Sequence, residues 1–80
     1  MRREIEEIRK RAEVYSREKV FTFVLEIAPS GRKNFYNGYV ISIKTDMIVF
    51  FDSKLNMEIP ILLDYIEVIE PSKNEVKDDR

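Results

Sequence analysis

Four carboxylates, Asp46, Asp52, Glu58 and Asp64, are the side chains of this 80-residue sequence best suited to paired acid–base work or to holding Mg²⁺. They are spread over separate turns, where aspartate is common for conformational reasons, so the plainer reading is structural. The sequence has no histidine and no cysteine, which excludes the usual zinc ligand sets and a disulfide framework. No serine has an evident base partner. The expectation is a protein that is not an enzyme, with no catalytic residue, no metal site and no cofactor.

The remaining chemistry is cationic and aromatic. Arg32 and Lys33, with Lys44 and Lys54, interleave with Phe35 and Tyr36. Positive side chains that track phosphates beside rings that stack on bases are the elements of single-strand binding. The candidate nucleic-acid site is therefore Arg32, Lys33 and Lys44 on phosphates and Tyr36 as the stacking ring. The plainer alternative is a solvated hairpin tip beside core aromatics. A second basic set, Arg2, Arg9 and Lys10 with Arg3 and Arg17 nearby, shares its segment with five glutamates, and a salt-bridged surface helix accounts for it.

The elements that must position these residues follow from periodicity. Ile5, Ile8, Ala12 and Tyr15 recur at spacings of three, four and three, which predicts a helix from residue 2 to about 18 with one narrow apolar stripe. Glu6–Lys10, Glu7–Arg11 and Glu13–Arg17 are favourable i,i+4 pairs. Val20–Ala28 alternates as a half-buried strand, with Phe21, Phe23, Leu25 and Ile27 on one side and Thr22, Glu26 and Ala28 on the other. Pro29-Ser30-Gly31 is a turn. Strands follow at Phe35–Lys44, Met47–Asp52, Met57–Leu62 and Ile66–Ile69, with a short turn near Leu63–Tyr65. Gly38, alone inside a strand, predicts a bend, a bulge or a close backbone approach. Pro60 predicts an edge, a bulge or an outward-facing nitrogen. The expected core is Phe21, Phe23, Leu25, Ile27, Tyr39, Ile41, Ile43, Val49, Phe51, Ile59, Ile61, Ile66 and Val68.

Strands three and four are apolar on both faces. A strand half-buried in a monomer shows one polar face. Either the N-terminal helix covers the second face, or another subunit covers part of it; the second is the expectation. Size points the same way, because a domain this small buries only about 60% of its unfolded surface.

Net charge is −1, with charged residues at 36%. Residues 1–19 hold seven basic and five acidic side chains, a local +2, so any polyanion site must be a patch rather than a global field. Lys, Arg and Glu are abundant and glutamine is absent, a thermophile-like composition. No apolar run nears the roughly 20 residues of a membrane span. The start of the chain is charged and lacks a signal-peptide core. A cytoplasmic protein with no membrane partner is expected.

A short N-terminal helix, five strands and a glycine in the second strand resemble the Sm-like (LSm) family over roughly residues 5–70. Phe23-Val24-Leu25 with the Gly31 turn resembles its first hairpin. Tyr36-Asn37-Gly38-Tyr39-Val40 resembles its aromatic-x-Gly-x-aliphatic centre, and Ile59-Pro60-Ile61 through Ile66 to Ile69 its last two strands. The family's RNA-reading loop is usually Asp-x-x-Met-Asn. Here Lys44 stands for the aspartate, Met47 fits and Ile48 replaces the asparagine, while Leu63-Asp64-Tyr65 replaces the usual Arg-Gly. The resemblance implies a fold and a ring-forming tendency rather than uridine-specific binding. The fold class expected is mostly β: a five-stranded SH3-like (Sm-like) barrel at 20–70, an N-terminal α-helix at 1–19 and a charged tail, disordered, at 71–80. The function expected is a homo-oligomeric Sm-like module that binds single-stranded RNA. The alternative is a protein-interaction scaffold that recruits a protein partner through strand edges.

Overall fold

The computed structural model describes residues 3–73. One helix, α1 (Arg3–Arg17), precedes five strands: β1 (Thr22–Ile27), β2 (Lys33–Ile43), β3 (Met47–Asp52), β4 (Met57–Leu62) and β5 (Ile66–Pro71), with a 3₁₀ turn η1 (Leu63–Tyr65) between the last two. The strands form one antiparallel sheet in the order β4-β3-β2-β1-β5. That sheet is open: β4 and β5 are its two rims, and no ladder joins them to close a barrel. Pro60 accordingly sits on a rim strand, where its missing N–H costs no interior bond.

Helix α1 ends by a specific device. Lys19 takes a left-handed conformation, φ 54°. Its N–H donates to Ser16 C=O at 3.3 Å, while Val20 N–H reaches back to Tyr15 C=O at 2.9 Å. This pair of bonds satisfies the last helical carbonyls and turns the chain into β1; glycine is the usual residue at that position. The apolar stripe then lies on the sheet. Ile8 and Ala12 are buried, with Ile5 and Tyr15 packed against the same cluster. The helix covers β2, β5 and η1.

The sheet face beneath the helix is the opposite of the one expected. The buried cluster on the sheet is Val24, Val40, Ile48, Phe50, Ile61, Leu63, Ile66 and Ile69, with Tyr36, Ile43 and Ile59 packed against it. Of the expected core only Ile43, Ile59, Ile61 and Ile66 belong here. Phe21, Phe23, Leu25, Ile27, Val49, Phe51 and Val68 are only half-buried, and Tyr39 and Ile41 are exposed. Because side chains alternate with a period of two, choosing the wrong phase moves a whole strand's set to the other side. Thr22 supplied the misleading signal. It faces inward, fully buried, because its Oγ1 donates to Val20 C=O at 2.7 Å and so carries no unmet polar group. In β2 the phase changes once more: the register shifts between Val40 and Ser42, and the bulge places Ile41 outside and Ile43 inside.

Gly38 sits where β2 passes between its two partners, opposite Thr22 of β1 and Asp52 of β3. A Cβ there would overlap the carbonyl oxygen of Phe51 and come within 2.9 Å of its carbonyl carbon. The glycine is required by close backbone approach, one of the three readings its position allowed. Of the stretch expected as a tail, only residues 71–73 are described. Pro71 still pairs with Thr22, and Ser72 N–H donates to Phe21 C=O at 2.8 Å; residues 74–80 lie outside the described residues.

Gly38→Ala is expected to cost about 3 kcal/mol or more, because the neighbour it strikes is backbone within a ladder and cannot rotate away. Gly31→Ala, at φ +91° with open space around it, should cost only about 1–2 kcal/mol of backbone strain. Urea denaturation compares the two; equal costs would discount the close approach. By the same method, Lys19→Gly should gain about 0.5–1 kcal/mol by relieving the left-handed strain.

Candidate interaction surface on the outer sheet face and hairpin tip

The residues singled out for phosphate and base contacts are distributed along β2 rather than gathered. Arg32 and Lys33 are exposed at the β1–β2 hairpin tip, held by Gly31 N–H to Ala28 C=O at 2.8 Å and Ala28 N–H to Arg32 C=O at 2.9 Å. Lys44 is exposed just past the far end of this 11-residue strand, in the β2–β3 turn. Its carbonyl and that of Thr45 accept from the guanidinium of Arg9, at 3.0 Å for the Lys44 carbonyl. Arg9, considered for phosphate contact, is thus engaged in fixing α1 to that turn. Arg11 similarly reaches Ile69 C=O at 3.4 Å. Arg2 lies outside the described residues.

Tyr36 faces inward. Its ring packs against Phe50 with centroids 6.4 Å apart, and it belongs to the border of the buried cluster. Its hydroxyl donates to Glu26 Oε1 at 3.1 Å, and the Asn34 amide donates to the same oxygen at 3.1 Å. Burial, first, and then the negative charge and hydrogen bond of Glu26 raise the Tyr36 phenol above its usual 10.0, with Asp52 adding to the rise and Arg32 opposing it. The glutamate thus serves two donors across the hairpin and ties the Tyr36 hydroxyl at the border of the buried cluster.

A different aromatic set occupies the outer face. Phe35 is 62% exposed, and its ring lies nearly parallel to that of Phe23, centroids 6.2 Å apart and 22° between planes. Phe21 and Tyr39 meet edge-on at 5.3 Å. Tyr39 is 37% and Ile41 48% exposed, and both line, with Val40, Ser16 and Lys19, an open depression of about 570 Å³ beside the end of α1. Sequence reasoning named these side chains but placed most of them in the core. Exposed apolar patches of this kind mark interaction surfaces.

Among the described residues no group of three or more histidine, cysteine, aspartate or glutamate side chains could hold a metal ion. Asp52, one of the four carboxylates weighed for chemistry, is buried and accepts from Leu55 N–H at 2.7 Å, closing the β3–β4 turn. No helix among the described residues is long and apolar enough to cross a membrane. No family model, curated protein or solved structure matches this chain.

The Tyr36 phenol gives a pH test. Its folded pKa lies above its unfolded one, so the stabilisation is complete below about pH 10 and is lost as pH rises through the folded value. The stability difference between the native chain and Tyr36→Phe should therefore shrink above pH 10, read from denaturation curves at a series of alkaline pH values. A difference that stays constant or grows would contradict the Glu26–Tyr36 bond.

Proposed function

We propose that this chain is a non-enzymatic assembly module with the helix-then-five-strands order of Sm-like proteins on an open sheet, and that it self-associates through the outer face of that sheet. One observation carries the reading: the helix covers only one face, while Tyr39 and Ile41 remain exposed in the central strand beside Phe21, with half-buried Phe51 and Val49 next to them. A second copy offers the same aromatic and aliphatic chemistry, and a two-fold contact is self-complementary by construction. Burying one such side chain is worth about 1.5–3 kcal/mol, so a few per copy offset much of the entropic cost of pairing.

The rims are poorer candidates. β4 carries Glu58 and Pro60, and β5 carries Glu67 and Glu70, all exposed. These are the residue types that discourage strand addition at an edge. A head-to-tail ring joining β4 to β5 would also bring carboxylates near one another, which is unfavourable. Single-stranded RNA is a less supported ligand than a protein surface, because Tyr36 is engaged by Glu26 and Lys44 lies far along the strand from Arg32 and Lys33.

The test is native mass by light scattering at micromolar concentration. The native chain should be a dimer or higher oligomer, and Ile41→Asp, at an exposed bulge position that tolerates a charge, should be a folded monomer. A monomeric native chain, or an oligomer that Ile41→Asp leaves intact, would overturn the reading.

A further inference from the structure

The sheet has a third open edge, internal to its order and distinct from the two rims. β2 is longer than β3. Their ladder starts only at Gly38 opposite Asp52, whereas β2 itself begins at Lys33. Over Lys33–Asn37 the strand is paired with β1 alone. Ser53 closes the end of the β3 ladder by donating its N–H, at 2.9 Å, and its hydroxyl, at 2.8 Å, to Asn37 C=O.

The direction of the backbone groups on this overhang follows from the register. Ala28 N–H donates to Arg32 C=O, so 28 and 32 form a bonded pair. In an antiparallel ladder bonded and non-bonded pairs alternate. Glu26–Asn34 and Val24–Tyr36 are then bonded, while Ile27–Lys33, Leu25–Phe35 and Phe23–Asn37 are not. The N–H and C=O groups of Lys33 and Phe35 point away from β1, into the space β3 would fill if it were longer. The Asn37 carbonyl, on the same side, is the one Ser53 reaches, which confirms the phase.

We propose that this overhang is a docking edge for an extended acidic peptide segment of a partner protein, which adds as a short strand in line with β3. Three features meet there. The backbone of Lys33 and Phe35 supplies donors and acceptors at strand spacing. The Phe35 ring, held by Phe23 behind it, presents an apolar surface to an alternate side chain of the incoming strand. Arg32 and Lys33 at the tip select carboxylates. The one nearby acid on this hairpin, Glu26, is already occupied by Asn34 and Tyr36. Unpaired backbone groups favour a peptide over a nucleic acid, which would use the two cations and the ring but not the strand edge. The edge is separate from the Tyr39–Ile41 surface, so monomeric Ile41→Asp should bind as the native chain does; this makes failure here distinguishable from failure of the self-association reading.

The probe is a fluorescein-labelled peptide of alternating valine and threonine flanked by aspartates, titrated by anisotropy. Saturable binding that weakens with salt is expected. Arg32→Glu with Lys33→Glu, and separately Phe35→Ala, should each weaken it about tenfold or more. Amide hydrogen exchange supplies the decisive readout. In the free chain the Lys33 and Phe35 amides should exchange fast and those of Asn34 and Tyr36 slowly, and saturation with the peptide should protect the first pair. Absence of saturable binding overturns the proposal, as does binding without protection of the Lys33 and Phe35 amides. Sequence-indifferent binding of a single-stranded RNA in preference to the peptide would also overturn it, reassigning the tip to phosphates.

Discussion

The passage of β2 at Gly38 hard against the Phe51 carbonyl is the constraint on which the arrangement depends. At this point one strand changes partners. Up to Gly38 it is laddered to β1, and from Gly38 onward to β3. The two backbones approach so closely that no side chain fits between them. Fixing that crossing fixes which neighbours face inward: Tyr36 and Val40 on either side of the glycine, Val24 opposite Tyr36, Phe50 opposite Val40. The narrow apolar stripe of α1 then finds a floor of mostly β-branched side chains with Phe50 and Leu63, and Ala12 at its centre allows close contact.

Around that floor the polar groups are closed locally. Arg9 and Arg11 spend their guanidinium groups on carbonyls of the β2–β3 turn and β5, so the helix is oriented by hydrogen bonds as well as by packing. Asp52 completes the β3–β4 turn, Glu26 ties the two arms of the first hairpin, and Ser72 Oγ donates to Asn37 Oδ1 at 2.6 Å where the end of β5 meets β2. Of the four carboxylates that a search for chemistry would pick out first, Asp52 is consumed in holding a turn, and Asp46, Glu58 and Asp64 are exposed. The outer face presents apolar area and the hairpin tip presents cations, chemistry of the kind found at association surfaces.

Element order and most boundaries were legible in the sequence. The stripe Ile5, Ile8, Ala12, Tyr15 marked the helix, β3 and β4 have the expected limits, and Gly38 marked its close approach. The phase of the sheet was not legible. Both faces of β3 are apolar, and the larger side chains Phe23 and Leu25 of β1, with Phe21 just before it, lie on the outer side, so size argued for the wrong face. The inward set is smaller and β-branched because a helix must approach it, and a buried threonine bonded to its own neighbourhood reads as polar in a pattern of letters. Closure was not legible either: curvature is a property of the ladder, and β4 and β5 stay apart. The site was half legible. Arg32 and Lys33 are where a hairpin tip puts them, but whether Phe35 or Tyr36 is the available ring depends on that same phase.

Two adjacent residues on opposite faces test the phase, and with it the availability of the outer surface to a partner. Phe50 is fully buried beneath the helix, and Phe51 lies on the outer face. Denaturation of Phe50→Ala and Phe51→Ala is the direct measurement, made at a dilution where Ile41→Asp and the native chain have the same mass. Phe50→Ala should lose about 3–5 kcal/mol, enough to threaten folding of so small a domain, and Phe51→Ala should lose much less. A larger loss at Phe51 than at Phe50 would contradict the account, because it would put the aromatic row inside and leave no apolar face for a second copy.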